Sequence, residues 1–131
     1  MFAKKEDEVV KKTKTPITQN SLIEDFKKLG LKAGDVVIVH ASMSKIGWIA
    51  GTSVAVVNAL MEVLTPEGTL VMPTMTSDNT DPENWKNPPV PDEWKQIIRD
   101  NMPAYHPDYS TSRGMGRISE TFRNYPDVLR S

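Results

Sequence analysis

The sequence predicts one α/β domain of layered secondary structure, and three observations carry that expectation. Val36-Val37-Ile38-Val39 is a continuous β-branched run, as expected for a strand buried on both faces. Thr69-Leu70-Val71-Met72 is a second apolar run, ended by Pro73, which has no N–H to give to a ladder. Between them lies one amphipathic stretch of helical period. Strand, helix and strand therefore form a βαβ unit, with parallel strands at about 36–40 and 69–73. Its crossover is expected to be right-handed.

Each element has a local justification. Residues 1–15 mix Lys and Glu without an apolar stripe and read as a flexible, frayed lead-in, leaving 16–131 as the domain proper. Thr18 or Asn20 can cap a helix that carries Leu22, Ile23, Phe26 and Leu29 on one face. Gly30 supplies the left-handed position after it, and Leu31 folds back onto the last turn. Lys32-Ala33-Gly34-Asp35 turns into the first strand, and residues 41–52 form a loop rich in Ser and Gly. A helix starts near Thr52 or Ser53, with Val54, Val57, Leu60, Met61 and Leu64 spaced for its apolar face. Thr65-Pro66-Glu67-Gly68 is the turn into the second strand.

From Thr74 the texture changes. Seven of the ten prolines fall between Pro82 and Pro126, which argues against a regular sheet there. Trp85, Trp94, Tyr105 and Tyr109 in the same stretch argue against plain disorder. The expectation is a long ordered excursion over the C-terminal edge of the sheet, with one short helix at about Asp92 to Asn101. A last helix, about Arg117 to Asn124, follows Gly114 and Gly116.

Length and composition narrow the function. A chain of 131 residues makes room for one ordinary domain, and a mean hydropathy of −0.43 suits a soluble one with a modest core. No apolar run approaches the roughly 18 residues of a membrane span, and the charged N-terminus lacks the apolar segment of a secretory signal. The setting expected is the cytoplasm. Without cysteine there is no disulfide scaffold, thiolate metal site or thiol nucleophile, and no metal-ligand spacing is present, so no metal is expected. Sixteen basic against 17 acidic residues give a net charge of −1, which predicts no nucleic-acid or membrane partner.

The loop after the first strand carries the chemistry. His40-Ala41-Ser42-Met43-Ser44-Lys45-Ile46-Gly47-Trp48-Ile49-Ala50-Gly51-Thr52-Ser53 leaves the C-terminal end of a parallel strand, where open α/β sheets place ligands. It feeds a helix N-terminus, whose N–H groups and dipole favour anions. Gly47 and Gly51 let backbone approach a ligand, Ser42, Ser44, Thr52 and Ser53 offer hydroxyls, and Lys45 adds charge. These features fit a phosphate or pyrophosphate cradle, and they also fit a capped helix after a Ser-rich loop. The loop is neither a Walker A loop nor a dinucleotide fingerprint, because the Gly and Lys spacings differ.

Several separated motifs then resemble one family. Val-x-Val-His-Ala-Ser-Met-Ser-x-Ile-Gly-Trp, the Gly-Thr-Ser-Val-Ala-Val-Val helix start and Gly-Thr-Leu-Val-Met-Pro-Thr are similar to the aminoglycoside N(3)-acetyltransferases, in a bacillus-type form. Asn87-Pro88-Pro89-Val90-Pro91, Met102-Pro103-Ala104-Tyr105 and Arg113-Gly114-Met115-Gly116 continue the likeness, which spans about Ile17 to Ser131. The resemblance implies a three-layer α/β/α fold, distinct from the GNAT acetyltransferases, that uses acetyl-CoA to acetylate the 3-amino group of 2-deoxystreptamine antibiotics. It implies coenzyme contacts at Ala41, Ser42, Met43, Gly51, Thr52, Ser53 and Val54, with Arg113, Gly114 and Met115 as a second region. Arg113 can match phosphate oxygens through its guanidinium.

The resemblance also implies a portion beyond this chain. Family members are about twice this length, and their principal catalytic histidine belongs to the other half, so the chain reads as the coenzyme-binding N-terminal part of an acetyltransferase, inactive alone. Attack on a thioester needs an uncharged amine, hence a base. His40 is the candidate here, and His106 the weaker one; Glu120 stands where the family has a carboxylate that orients its histidine. Each has a plain structural alternative: a backbone-satisfied core histidine, a surface loop residue, a solvent-facing helix position. Asp78, Asp81, Glu83, Asp92 and Glu93 can line an acidic mouth for an aminoglycoside or similar polyamine, or be solvated loop charges. Trp48, Trp85 and Trp94 can stack on a ring or pack in the core. Half a sheet leaves an open strand edge, which favours self-association. The competing readings are a non-catalytic fragment and a phosphate- or nucleotide-binding α/β module with another ligand.

Overall fold

The computed structural model describes residues 2–131, with side chains from residue 5 onward. In chain order it has α1 (Phe2–Lys12), α2 (Gln19–Leu29), β1 (Val36–Ile38), α3 (Met43–Ile46), α4 (Thr52–Leu64) and β2 (Thr69–Val71). Two 3-10 turns (Ser77–Asn79 and Pro82–Asn84), α5 (Asp92–Asn101) and α6 (Gly116–Arg123) follow. β1 and β2 pair in parallel with Val36 opposite Thr69, Val37 opposite Leu70 and Ile38 opposite Val71. The α/β expectation holds in this form.

α2 begins and ends as its residues require. Thr18 accepts from Ser21 N–H while the Ser21 hydroxyl accepts from Thr18 N–H, a reciprocal cap that satisfies two orphan donors. At the other end Gly30 takes φ 104°, where a side chain is strained, and Leu31 N–H reaches back to Phe26 C=O at 3.1 Å. Leu22 is buried and Ile23 and Phe26 pack beside it, whereas Leu29, expected on that face, is 77% exposed. It lies on the final turn of α2.

α4 is the centre of the core. Ala55, Val56, Val57, Ala59, Leu60, Val63 and Leu64 are all buried, because α2, α6 and β2 each pack on it. A single-faced helix was the expectation. Instead the buried surface wraps most of the way round, and Val54 and Met61 fall on the remaining exposed strip.

Three expectations are corrected. The first 15 residues, read as frayed, are helical from Phe2 to Lys12, and the reason lies outside that segment. Thr13 Oγ1 donates to Val9 C=O at 2.7 Å and accepts Trp48 N–H at 3.0 Å, so a contact 35 residues away fixes the helix end. The loop at 41–52 contains a helical turn, α3. The first strand is not buried on both faces: Val36 and Ile38 are 72% and 69% exposed, since helices cover only the face of Leu70 and Val39. α5 and α6 form where expected.

Gly68 is required by space. A Cβ there would stand 2.7 Å from Leu64 C=O and 2.9 Å from Asp35 C=O, both backbone atoms that cannot swing aside. Gly68→Ala is expected to destabilise the fold by about 2 kcal/mol, as overpacking does. Gly30→Ala, with nothing within 4 Å but an unfavourable φ, is expected to cost about 1 kcal/mol. Urea unfolding midpoints check both, and the order of the two variants is the discriminating result.

Candidate functional site at the loop between β1 and α4

The loop is held from two sides. Val39 N–H donates to Val71 C=O at 2.9 Å, carrying the pairing one residue past β1. Ile17 N–H donates to Trp48 C=O at 3.0 Å and Ala50 N–H to Ile17 C=O at 2.8 Å, a single parallel bridge that clamps the far end of the loop. Ile49, 3% exposed, anchors it in the core. Between the clamps Ser42 precedes α3, but its hydroxyl lies 3.2 Å from that of Ser44 and makes no cap bond.

The chain then enters α4 through two residues of positive φ, Gly51 at 86° and Thr52 at 56°. For threonine this costs of the order of 1–2 kcal/mol, and the buried neighbours Ile49 and Ser53 hold it in place. No side chain caps α4, so the positive end of a 13-residue helix faces outward beside Gly51, Thr52 and Val54, all exposed. Ser53 behaves differently. It is 3% exposed and its hydroxyl lies 2.6 Å from that of Thr121, locking α4 to α6, so only its backbone N–H remains for a ligand.

The start of α6 sits against the same loop. A Cβ on Gly116 would stand 3.5 Å from Ala41 C=O, so Met115 and Gly116 lie beside the start of the loop. A hollow of about 240 Å³ opens here, walled by Lys5, Glu6 and Val9 of α1, by Met43, Ser44, Gly47, Trp48, Ile49 and Thr52, and by Arg117 of α6. Among the described residues Lys5 and Arg117 make no ion pair, and Glu6 is the only carboxylate in the wall. Cationic side chains, a helix N-terminus and an apolar wall in one hollow favour an anionic ligand with an apolar arm.

Of the residues expected at the site, Met43 and Thr52 line the hollow, and Ala41, Ser42, Gly51, Ser53 and Val54 are their chain neighbours. Arg113 is turned elsewhere. Its Nη1 pairs with Asp78 at 2.8 Å and its Nη2 donates to Asn87 C=O at 2.9 Å, so it holds the 74–115 excursion together. Gly114 and Met115 only lead into α6. His40 is exposed just past the end of β1 and does not line the hollow. His106 stacks on Tyr109 with ring centroids 4.3 Å apart, and its Nδ1 accepts Asp108 N–H, as a loop-shaping residue does.

Glu120 is neither solvent-facing nor paired with a histidine. It accepts Ser112 N–H at 2.6 Å, the Ser112 hydroxyl, and Arg123 Nε at 2.7 Å. Burial alone would raise its pKa, but these bonds outweigh it and hold the carboxyl below its ordinary range. The acidic mouth is also engaged. Asp81 and Glu83 pair with Arg99, Glu83 and Asp92 pair with Lys95, and Glu83 N–H with Arg99 lowers the Asp81 pKa. Trp85 Nε1 donates to Thr80, Trp94 is 54% exposed, and Trp48 alone of the three lines the hollow. No group of three His, Asp or Glu that could hold a metal occurs among the described residues.

Arg117 and Lys5 were missing from the sequence reading. Arg117 had a signal, its place in the first turn of a helix led by Gly114-Met115-Gly116. Lys5 had none, because its helix is fixed by a distant contact.

Residues 38–131, taking in the loop, α4, β2, α5 and α6, match the family model described as aminoglycoside 3-N-acetyltransferase. The chain belongs to this family of acyltransferases. It is 54% identical over 124 residues to YokD, an SPbeta prophage-derived aminoglycoside N(3')-acetyltransferase-like protein of Bacillus subtilis, covering 94% of this chain and 46% of that one. Aminoglycoside N(3)-acetyltransferase IX of Micromonospora chalcea is 36% identical, covering 88% of this chain and 41% of its own length. The crystal structure of YokD superposes with a TM-score of 0.91 at 53% identity, over 95% of this chain and 47% of that one. The AAC-IIIb enzyme in binary complex with CoASH follows at a TM-score of 0.68 and 30% identity, over 89% of this chain and 42% of the enzyme. The chain thus spans less than half the length of the relatives it matches.

Glu120 makes a pH-dependent contribution to this site's frame. Its folded pKa lies below the unfolded value of about 4.3, so its stabilisation is present above that pH and is lost as pH falls through the folded value. Glu120→Gln is expected to cost about 1–2 kcal/mol at pH 7, by the weight of hydrogen bonds to a charged group, and to approach the parent stability as pH falls through the folded value. Urea unfolding over a descending pH series measures this; a loss that stays constant with pH would show that the charge is not what matters.

Proposed function

We propose that this chain is the coenzyme-binding portion of an aminoglycoside 3-N-acetyltransferase, with acetyl-CoA as its cosubstrate. The observation that carries the proposal is the hollow where the uncapped N-terminus of α4, Arg117 and Lys5 converge beside Met43 and Trp48. CoA is an anion with a long, weakly polar arm, which is the chemistry this wall favours. The relative in complex with CoASH, at 30% identity over 89% of this chain, supports the choice of ligand.

The coenzyme contacts run through Ala41, Ser42 and Met43, then Gly51, Thr52, Ser53 and Val54, with Ser53 acting through its backbone N–H. Arg117, rather than Arg113, meets the phosphates, and Gly114 and Met115 shape the loop that delivers it. Acetyl passes directly from the thioester to the 3-amino group of a 2-deoxystreptamine antibiotic: the new amide C–N bond replaces the broken C–S bond, CoA leaves as its thiol, and the N-acetylated antibiotic is the product whose formation gives antibiotic resistance. The amine must lose a proton on attack, and the developing oxyanion needs donors. His40, exposed just past β1, takes a secondary part in this proton transfer, while the principal base comes from the portion of the family fold beyond residues 16–131. Glu120 acts as a positioning residue: by holding Ser112 it sets the loop that precedes α6. No cysteine is available for a covalent acetyl-thioenzyme in this chain.

The whole domain is a three-layer α/β/α sandwich, distinct from the GNAT acetyltransferases, of which this chain supplies one helix layer and two strands. It works in the cytoplasm with small-molecule partners and no resident metal; no helix among the described residues is long and apolar enough to cross a membrane.

Titration calorimetry of the 131-residue chain with CoA tests the proposal. Binding is expected, with Arg117→Gln weakening it about tenfold, the effect of one charge-assisted hydrogen bond. Ser42→Ala and Gly51→Val are expected to weaken it further in chains whose circular dichroism is unchanged. Equal binding of ATP, competing with CoA, would favour the nucleotide-module reading instead, and no binding to a folded chain would overturn the coenzyme assignment.

A further inference from the structure

The two helices that reach the hollow are tied together by one hydroxyl pair. Ser53, the second residue of α4, is 3% exposed, and its Oγ lies 2.6 Å from Thr121 Oγ1 of α6. Thr121 follows Arg117 by four residues, so the two occupy one face of α6, a turn apart. Arg117 lines the hollow, and so does Thr52, the residue before Ser53. The bond therefore sets the helix that delivers the guanidinium against the helix that delivers free N–H groups.

The entry to α4 needs such a tie. Thr52 has φ 56°, in the left-handed region where a β-branched residue is strained, and a conformation of this kind persists only where its surroundings over-determine it. Thr52 N–H bonds to Ile49 C=O at 3.0 Å on one side, and Ser53 is tied to Thr121 on the other. Neither α4 nor α6 has a side-chain cap, so neither first turn is set by a cap of its own. Ile118 is buried in the core beside this contact, but apolar packing is non-directional, whereas a hydrogen bond fixes distance and angle.

We propose that Thr121 is a positioning residue for coenzyme binding. Through Ser53, its hydroxyl holds the first turn of α4 and the Arg117 guanidinium at the separation at which both engage one anionic group. Thr121 is not in the wall of the hollow, so it acts through these two and not by touching the ligand. The inference rests on the coenzyme reading above and names the contact that makes two separate elements into one phosphate site.

Titration calorimetry with CoA tests this on a set of variants of the 131-residue chain, each also unfolded in urea. Thr121→Val keeps the shape and removes the hydroxyl; it is expected to weaken CoA binding about tenfold, while Thr121→Ser, which keeps a hydroxyl, binds as the parent does. In the Thr121→Val chain, Arg117→Gln is expected to cost less than about threefold, against about tenfold in the parent, because residues acting as a unit are not additive. Thr121→Val also leaves the buried Ser53 hydroxyl without a partner and lowers the urea midpoint. Adding Ser53→Ala removes that hydroxyl and is expected to restore the midpoint without restoring CoA affinity, which a purely stabilising role of Thr121 would not give. Affinity that recovers together with the midpoint would overturn the proposal. So would an undiminished effect of Arg117→Gln in the Thr121→Val chain, or CoA binding indifferent to Thr121→Val; each of these leaves the coenzyme reading standing. Failure of the parent chain itself to bind CoA would overturn that reading and this inference with it.

Discussion

Burial of α4 is the constraint on which the rest of the structure depends. Seven apolar residues between Ala55 and Leu64 are excluded from water, and the larger ones contribute about 1.5–3 kcal/mol each. With α2, α6 and β2 all packed on it, the helix has little freedom to shift along its axis. Its N-terminus is consequently delivered to one place, beside the loop that leaves β1. The Ser53–Thr121 hydroxyl pair at 2.6 Å carries the same constraint into α6 and so sets where Arg117 begins its helix. Core packing and the anion-favouring hollow are two ends of one rigid body.

The charged residues divide accordingly. Arg99, Arg113, Arg123 and Arg130 have carboxylate or carbonyl partners and serve to pin the excursion and the last segment. Lys5 and Arg117 are placed in the wall of the hollow without an ion-pair partner among the described residues. A cation already matched by a carboxylate gives little to an incoming phosphate, because the attraction must first be given up elsewhere. On this ground the anion-binding role we propose is assigned to Arg117, which lines the hollow, and not to Arg113, which is paired with Asp78. Family membership names the kind of chemistry, and the local pairing shows which guanidinium is left without a carboxylate partner among the described residues.

The two faces of the strand pair show how a correct sequence pattern can meet an unexpected environment. Val36 to Val39 carries the residue types of a two-sided buried strand, and the run does form a parallel strand of the expected partner. Only one side is covered, since the described chain supplies a single helix layer. The apolar residues on the other side have no cover among the described residues.

Local signals were legible wherever the physics is local. The Thr18 cap, the Gly30 terminus, the strand runs and α5 between Pro91 and Met102 all follow from neighbouring residues. The family, too, was readable from motifs in order. What the sequence could not supply depends on contacts distant in the chain: α1, whose end is fixed by Trp48; the exposed strip of α4, decided by which helices flank it; and Arg113, taken up by Asp78 35 residues before it. By itself the sequence determined the type of α2, α4, α5, α6 and both strands, the capping of α2, and the family, because these are set by residue chemistry within a turn or two and by motifs in order. Only the tertiary structure decided which cations stand in the hollow and which strand face stays bare, because pairing and burial are properties of surfaces that meet after the chain has folded.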